Sequence, residues 1–121
     1  MRALLEEAQL DRRIQHVVKH IQENRSANMT ELSRLVNLST SHLGRLFKAA
    51  MGTSIVQYTI ELRLKDARQL LQTTDWPVKR IAIECGIPDG PNFVRLFKRR
   101  FGMTPSECRN NHRDEAGDNR L

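Results

Sequence analysis

The chain has 121 residues, 39% of them hydrophobic, and its 20 Lys and Arg against 14 Asp and Glu leave a formal net charge of +6. That is one domain, or two very small ones sharing a helix, with room for only a modest core. No run reaches the roughly 18 apolar residues a membrane helix needs, and the N-terminal MRALLEEAQLDRR alternates acid and base where a secretory signal would be apolar.

The surplus of positive charge points to a polyanion, nucleic acid or anionic membrane, and charge alone does not choose between them. Cys85 and Cys108 are the only cysteines and form no CxxC, which reads as two thiols in a reducing, cytosolic setting.

Glycine and proline are scarce and apolar residues recur at three and four, which predicts an all-α fold of about seven helices. Residues 11–23 place Ile14, Val17, Val18 and Ile21 on one helical face, and Asn24 to Asn28 breaks that helix. A short helix over 30–37, a turn at Leu38-Ser39 and a second helix over 40–51 follow, with Ser39 as N-cap and Gly52 as the left-handed stop.

Residues 54–72 are the longest periodic stretch, with Ile55, Tyr58, Leu62, Ala67, Leu70 and Leu71 on a broad apolar face. Thr73 to Pro77 ends it, and Pro77 suits the first turn of a helix over 78–85. Gly86 to Asp89 turns the chain into the helix of VRLFKRRF. After Gly102, Thr104-Pro105-Ser106-Glu107 reads as a capping box opening one last turn, with a frayed polar tail from Asn110.

The chain says one thing twice. GRLFKAAMG at 44–52 returns as VRLFKRRFG at 94–102, and each copy ends a larger unit, LSRLVNLSTSHLGRLF and IAIECGIPDGPNFVRLF, that is a short helix, a turn and a second helix. Ser33 and Ala82 match where two helices must approach closely, and Asn37 and Gly86 match where a left-handed turn is needed. At about 100° per residue, Leu43, Leu46, Phe47 and Ala50 share one sector of the first repeated helix, opposite Ser41, Gly44, Arg45 and Lys48. In the second, Phe93, Leu96 and Phe97 point in while Pro91, Val94, Arg95 and Lys98 point out. Arg100 stands where Ala50 did, so its stem should lie along apolar surface with its charge snorkelling outward.

A small helix with a basic outer face, backed by another helix, is how a recognition helix is offered to the major groove. One such unit could equally be a helical hairpin with a solvated face; two with Arg and Lys at matching places favour DNA. The helix of residues 55–71, about 25 Å long at 1.5 Å per residue, suits a partner whose major grooves recur about every 34 Å.

The paired motifs ending in RLFK and a glycine, the helix ELRLKDARQLL, VKRIAIECG and FKRRFGMTPSECR together resemble the DNA-binding region of the AraC/XylS family of bacterial transcription regulators, over roughly residues 11 to 109. The resemblance implies two helix-turn-helix subdomains, 8–53 and 74–109, joined by a linker helix, 54–73, with a polar tail at 110–121. It implies binding of double-stranded promoter DNA over about two turns. Carried over by position, Ser41, Gly44 and Arg45 face bases in the first unit, and Gly90, Pro91, Val94 and Arg95 in the second. Ser39, Thr40, Lys48, Asn92, Lys98 and Arg99 hold phosphates. Arg45 and Arg95 are the direct readers, because a guanidinium takes guanine O6 and N7 together. Gly44, Gly90 and Pro91 bring no polar side chain and Val94 meets only an apolar edge, so the second unit is expected to read through Arg95 and DNA shape. Pro91 has a compatible structural reading as a helix starter.

Other signals are weaker. His16 and His20 have a metal-compatible spacing but no third ligand and no HExxH, so no metal or cofactor is expected. Cys85 reads as a buried structural thiol. Cys108, beside Arg109, leaves room for some reactivity. Trp76 reads as a packing residue ahead of the fifth helix. No catalytic constellation appears and no enzyme is expected. MRALLEEAQL reads like a helix entered midway, so a C-terminal domain of a longer effector-responsive regulator is favoured over a small stand-alone regulator. In this domain no small-molecule site is expected, the isolated chain is expected to be a monomer, and a dimer would come from a missing domain. The resemblance favours an activator touching RNA polymerase, in the cytoplasm on the nucleoid. The rival class is a sequence-independent DNA-binding module.

Overall fold

A computed structural model describes residues 11–118, and the reading of MRALLEEAQL lies outside them. Among the described residues there are seven helices and no strand. Asp11 starts α1 (Arg12–Glu23) by accepting the Arg13 N–H at 2.8 Å. The Arg13 side chain bonds the same carboxylate, and these bonds hold Asp11 at about 2, below the ordinary 3.8. Asn28 caps α2 (Met29–Leu35) through the Glu31 N–H, 2.9 Å. Ser39 caps α3 (Thr40–Met51) through the His42 N–H, 3.1 Å.

The turns take the conformations the repeat demands. Asn37 (φ 56°) and Gly86 (φ 80°) are both left-handed, and Gly52 and Gly102 close their helices at φ 75° and 77°. α4 (Ile55–Thr73) is the longest helix. Pro77 stands one residue before α5 (Val78–Glu84) and not inside its first turn. There its carbonyl accepts from Ile81, 3.1 Å, and its missing N–H leaves nothing unsatisfied. α6 (Gly90–Phe101) has Asp89 as cap, accepting the Asn92 N–H at 3.1 Å, with Pro91 in its first turn.

The last element departs from the sequence reading. α7 (Pro105–Asp118) is a 14-residue helix where one turn and a frayed tail were expected. Thr104 accepts the Glu107 N–H at 3.1 Å and gives its hydroxyl hydrogen to the Glu107 carboxylate, 3.0 Å. Further along, Arg109 donates to the Leu71 and Thr74 carbonyls, 3.2 and 3.3 Å, and Arg113 pairs with Asp75 at 2.5 Å. Those bonds tether a polar helix that no apolar periodicity announces.

The chain forms two compact units that divide within α4, after Thr59. In the first, α1, α2 and α3 touch one another pairwise, and Ile14, Val17, Ile21, Leu32, Leu43, Phe47 and Ile55 are buried. Tyr58 sets its ring edge-on to Phe47, centroids 5.8 Å apart, and its hydroxyl accepts from Gln22, 3.1 Å. Ser33 is the buried polar residue of this unit, satisfied by donating to the Thr30 carbonyl at 2.9 Å. Ala50 is exposed, although it shares the angular sector of Leu43, because it lies in the last turn of α3.

In the second unit Leu64, Ala67, Leu71, Ile81, Ala82, Cys85, Ile87, Phe93, Phe97 and Cys108 form one core. Full burial of Phe93 and Phe97 is worth about 1.5–3 kcal/mol each. Ala82, 1% exposed, has the small side chain expected at the close approach.

Candidate nucleic-acid interface

In the first unit, Leu43 and Phe47 are fully buried and set the rotation of α3 about its own axis. Ser41, Arg45 and Lys48 on the other side are exposed, Gly44 is half-buried, and Ser39 and Thr40 are exposed at the helix start. Among the described residues, neither the Arg45 nor the Lys48 side chain has a hydrogen-bond or ion-pair partner in the protein. Beyond its chain neighbours and the backbone of its own helix, nothing lies within 4 Å of where a Cβ on Gly44 would stand, so no packing contact requires a glycine there.

The second unit repeats the arrangement with Phe93 and Phe97 buried. Pro91, Arg95, Lys98 and Arg99 are exposed, while Gly90, Asn92 and Val94 are half-buried. Here the arginine expected to read bases is engaged: Arg95 Nη2 donates to Asn92 Oδ1 at 2.6 Å. Pro91 occupies the helix start that its fixed φ suits.

Lys98, Arg99 and Arg100 crowd the last turn of α6, where the helix dipole favours cations. They are not equivalent. Arg100 was expected to lay its stem on apolar surface and send its charge to solvent. Its guanidinium instead sits 5.0 Å from the Phe101 ring centroid and donates to Glu61 Oε1 from Nε, 3.1 Å, and Nη2, 2.9 Å. Lys98 and Arg99 remain the outward charges of the run.

Three supporting residues escaped the sequence reading. Asp89 caps α6 as Ser39 caps α3, and the repeat itself carries that signal, since the two occupy matching positions. Glu61 restrains Arg100. Arg63 donates from Nη1 to the Cys85 carbonyl at 2.9 Å, so its guanidinium lies against the turn between α5 and α6. Only the folded chain shows those last two, because their partners are 39 and 22 residues away. Beside that turn a cleft of about 250 Å³ is walled by Ile60, Ile87, Pro88 and Leu96.

The remaining candidates have structural settings. His16 is exposed, and His20 Nε2 lies 2.8 Å from the Glu31 carboxylate. Among the described residues no group of three or more His, Cys, Asp or Glu could hold a metal ion. Cys85 is buried and its thiol is pushed up to about 11, first by burial and then by Asp66. Cys108 is also buried, at 5% exposure, and burial raises its thiol as well, which works against the reactivity its neighbour Arg109 suggested. Trp76 packs against the second core with the Arg80 guanidinium 3.7 Å over its ring.

The helix-turn-helix domain family matches residues 32–111. The HTH-type transcriptional regulator ArgR of Pseudomonas aeruginosa is 39% identical over 83 residues, which is 69% of this chain and 25% of ArgR. This chain spans 25% to 36% of the length of the first curated relatives it matches. Among solved structures, a transcriptional regulator with an AraC-type DNA-binding domain from Chromobacterium violaceum superposes with a TM-score of 0.76 at 33% identity, over 83% of this chain and 91% of that one. The DNA-binding domain of AdpA, solved in complex with a target DNA, gives 0.75 at 25% identity, over 84% and 94%. No helix among the described residues is long and apolar enough to cross a membrane.

Proposed function

This chain belongs to the AraC/XylS family of bacterial transcription regulators, as a DNA-binding domain, and from that premise we propose that it binds promoter DNA sequence-specifically, α3 and α6 each entering a major groove. The observation that carries this is the matched pair of faces. Arg45 lies opposite buried Leu43 and Phe47, and Arg95 lies opposite buried Phe93 and Phe97 at the same register of the second helix. Each guanidinium can take guanine O6 and N7, which is worth about 1–3 kcal/mol of discrimination. Ser39, Thr40, Lys48, Lys98 and Arg99 supply phosphate contacts that set register and make binding salt-dependent.

On this reading residues 8–53 and 74–109 serve one groove each, and a single chain does what smaller repressors do by pairing. The wider role follows the family. The domain acts inside the bacterial cytoplasm in a longer effector-responsive activator that touches RNA polymerase, pairs through a further domain and catalyses no reaction. The supporting fact is that the relatives are transcription regulators about two to three times this length.

The test is selection of bound duplexes from a random pool of 30 base pairs. Two boxes about one helical turn apart are expected. A single box would mean that one unit clamps without reading, and no enrichment over random DNA would sink sequence-specific binding.

A further inference from the structure

The two reader arginines sit at the same place in the repeat, yet their surroundings differ. Three residues before Arg95 stands Asn92, whose Oδ1 accepts from Arg95 Nη2 at 2.6 Å. Three residues before Arg45 stands His42, and no bond joins that pair. Residues three apart share a helical face, so an acceptor at that spacing can reach a guanidinium.

Asn92 is itself fixed. Its N–H donates to Asp89 Oδ1 at 3.1 Å, Pro91 locks the backbone just before it, and Phe93 just after it is fully buried. The acceptor is thus presented from a capped, proline-led helix start to a side chain that would otherwise sample many rotamers. One N–H of the five on the guanidinium is used, which leaves a pair free to face a guanine edge.

We infer that Asn92 is a positioning residue for Arg95, setting the orientation in which Arg95 meets its base, and is not the phosphate ligand that the family resemblance implies. The inference rests on the reading of Arg95 as a base reader. It also accounts for how the second unit discriminates although Gly90, Pro91 and Val94 supply no polar side chain. Pre-ordering lowers the entropy lost when the arginine engages DNA, and so concentrates recognition in one residue.

The experiment uses the 121-residue chain, the tightest duplex recovered from the random pool, and the same duplex changed one base pair at a time. Affinities are measured for the unaltered protein, Asn92→Ala, Asn92→Asp, Arg95→Ala and the Asn92→Ala/Arg95→Ala double variant. The Asp89 cap uses the Asn92 backbone, so Asn92→Ala keeps it, and unchanged helicity and melting temperature check the fold. Asn92→Ala is expected to reduce the preference at one base pair by about tenfold, a fraction of the discrimination of a bidentate contact, with little change on random duplex. The loss should vanish when Arg95 is already Ala. Asn92→Asp keeps the acceptor and should retain the base preference while weakening binding to all duplexes through its added negative charge.

Equal loss from Asn92→Ala on every duplex, persisting in the Arg95→Ala background, would make Asn92 a phosphate contact and overturn the inference while leaving Arg95 a reader. Unchanged base preferences in Arg95→Ala would overturn the reader assignment itself, and the inference with it.

Discussion

Arg63 of α4 donates to the carbonyl of Cys85, and its guanidinium fills the space where a side chain on Gly86 would begin. Gly86 therefore meets a left-handed backbone at φ 80° and a guanidinium that would have to shift to admit a Cβ. Gly52 meets only the first, at φ 75° with open space around it. Gly52→Ala should cost about 1–2 kcal/mol, the ordinary left-handed penalty. Gly86→Ala should cost about 3 kcal/mol, because it also displaces a hydrogen bond from a charged donor. Urea melts of both variants decide it; equal losses would mean that Arg63 swings aside freely.

Arg45 and Lys48 share the outer face of α3 but should fail differently. Arg45→Ala is expected to lose about 1–3 kcal/mol on the selected duplex and to relax one position, with little change on random DNA. Lys48→Ala should weaken all duplexes alike and lower the salt slope by about one. Titrations at three salt concentrations separate the two, and parallel losses on specific and random DNA for Arg45→Ala would remove it from base readout.

Gly44 lies mid-helix with nothing near its missing Cβ. Gly44→Ala should therefore stabilise the isolated protein by about 0.5–1 kcal/mol, the helix-propensity difference. If α3 lies as deep in the groove as proposed, the same change weakens specific binding, since the added methyl meets DNA in place of protein. A more stable variant with unchanged affinity would put Gly44 away from the base edges.

Cys85 makes stability depend on alkaline pH. Its folded thiol sits at about 11 against an ordinary 9.0, raised by burial and by Asp66 and Glu84 and lowered by Arg63. The folded state thus holds this proton more tightly than the unfolded chain does. The contribution is whole below pH 9.0 and is lost as pH rises toward about 11. The stability difference between the unaltered protein and Cys85→Ala, measured by denaturant melts at several pH values, should shrink across that window. A difference that stays constant would show the thiol titrating alike in both states. Native Cys85 should also resist alkylation at neutral pH and react once the chain is unfolded.

Much of the second unit was legible because its signals are local. Pro91 ahead of an apolar i, i+3, i+4 pattern announces a helix, and the copy of that pattern in α3 supports its register, although the Asp89 cap was not read. Ser33 and Ala82 were readable as a close approach, and Asn37 and Gly86 as a left-handed turn, because two copies share one backbone path. The length of α7 was not readable. Its bonds run to Leu71, Thr74 and Asp75, more than 30 residues away, and its own polar sequence carries no amphipathic stripe.

By itself, the sequence determined the first six helices, the Ser39 and Gly52 caps, the two repeated units and the outward Arg45 and Arg95, since backbone dihedrals and hydrophobic periodicity act between residues a few positions apart. Tertiary structure alone decided which polar side chains are committed inside each unit. Arg100 is bound to Glu61 and Arg63 to the Cys85 carbonyl, both across long stretches of chain, while Arg99 is left outward. A charge is available to a phosphate only if no protein acceptor has already taken its donors, and that is settled by which distant segments the cores bring together.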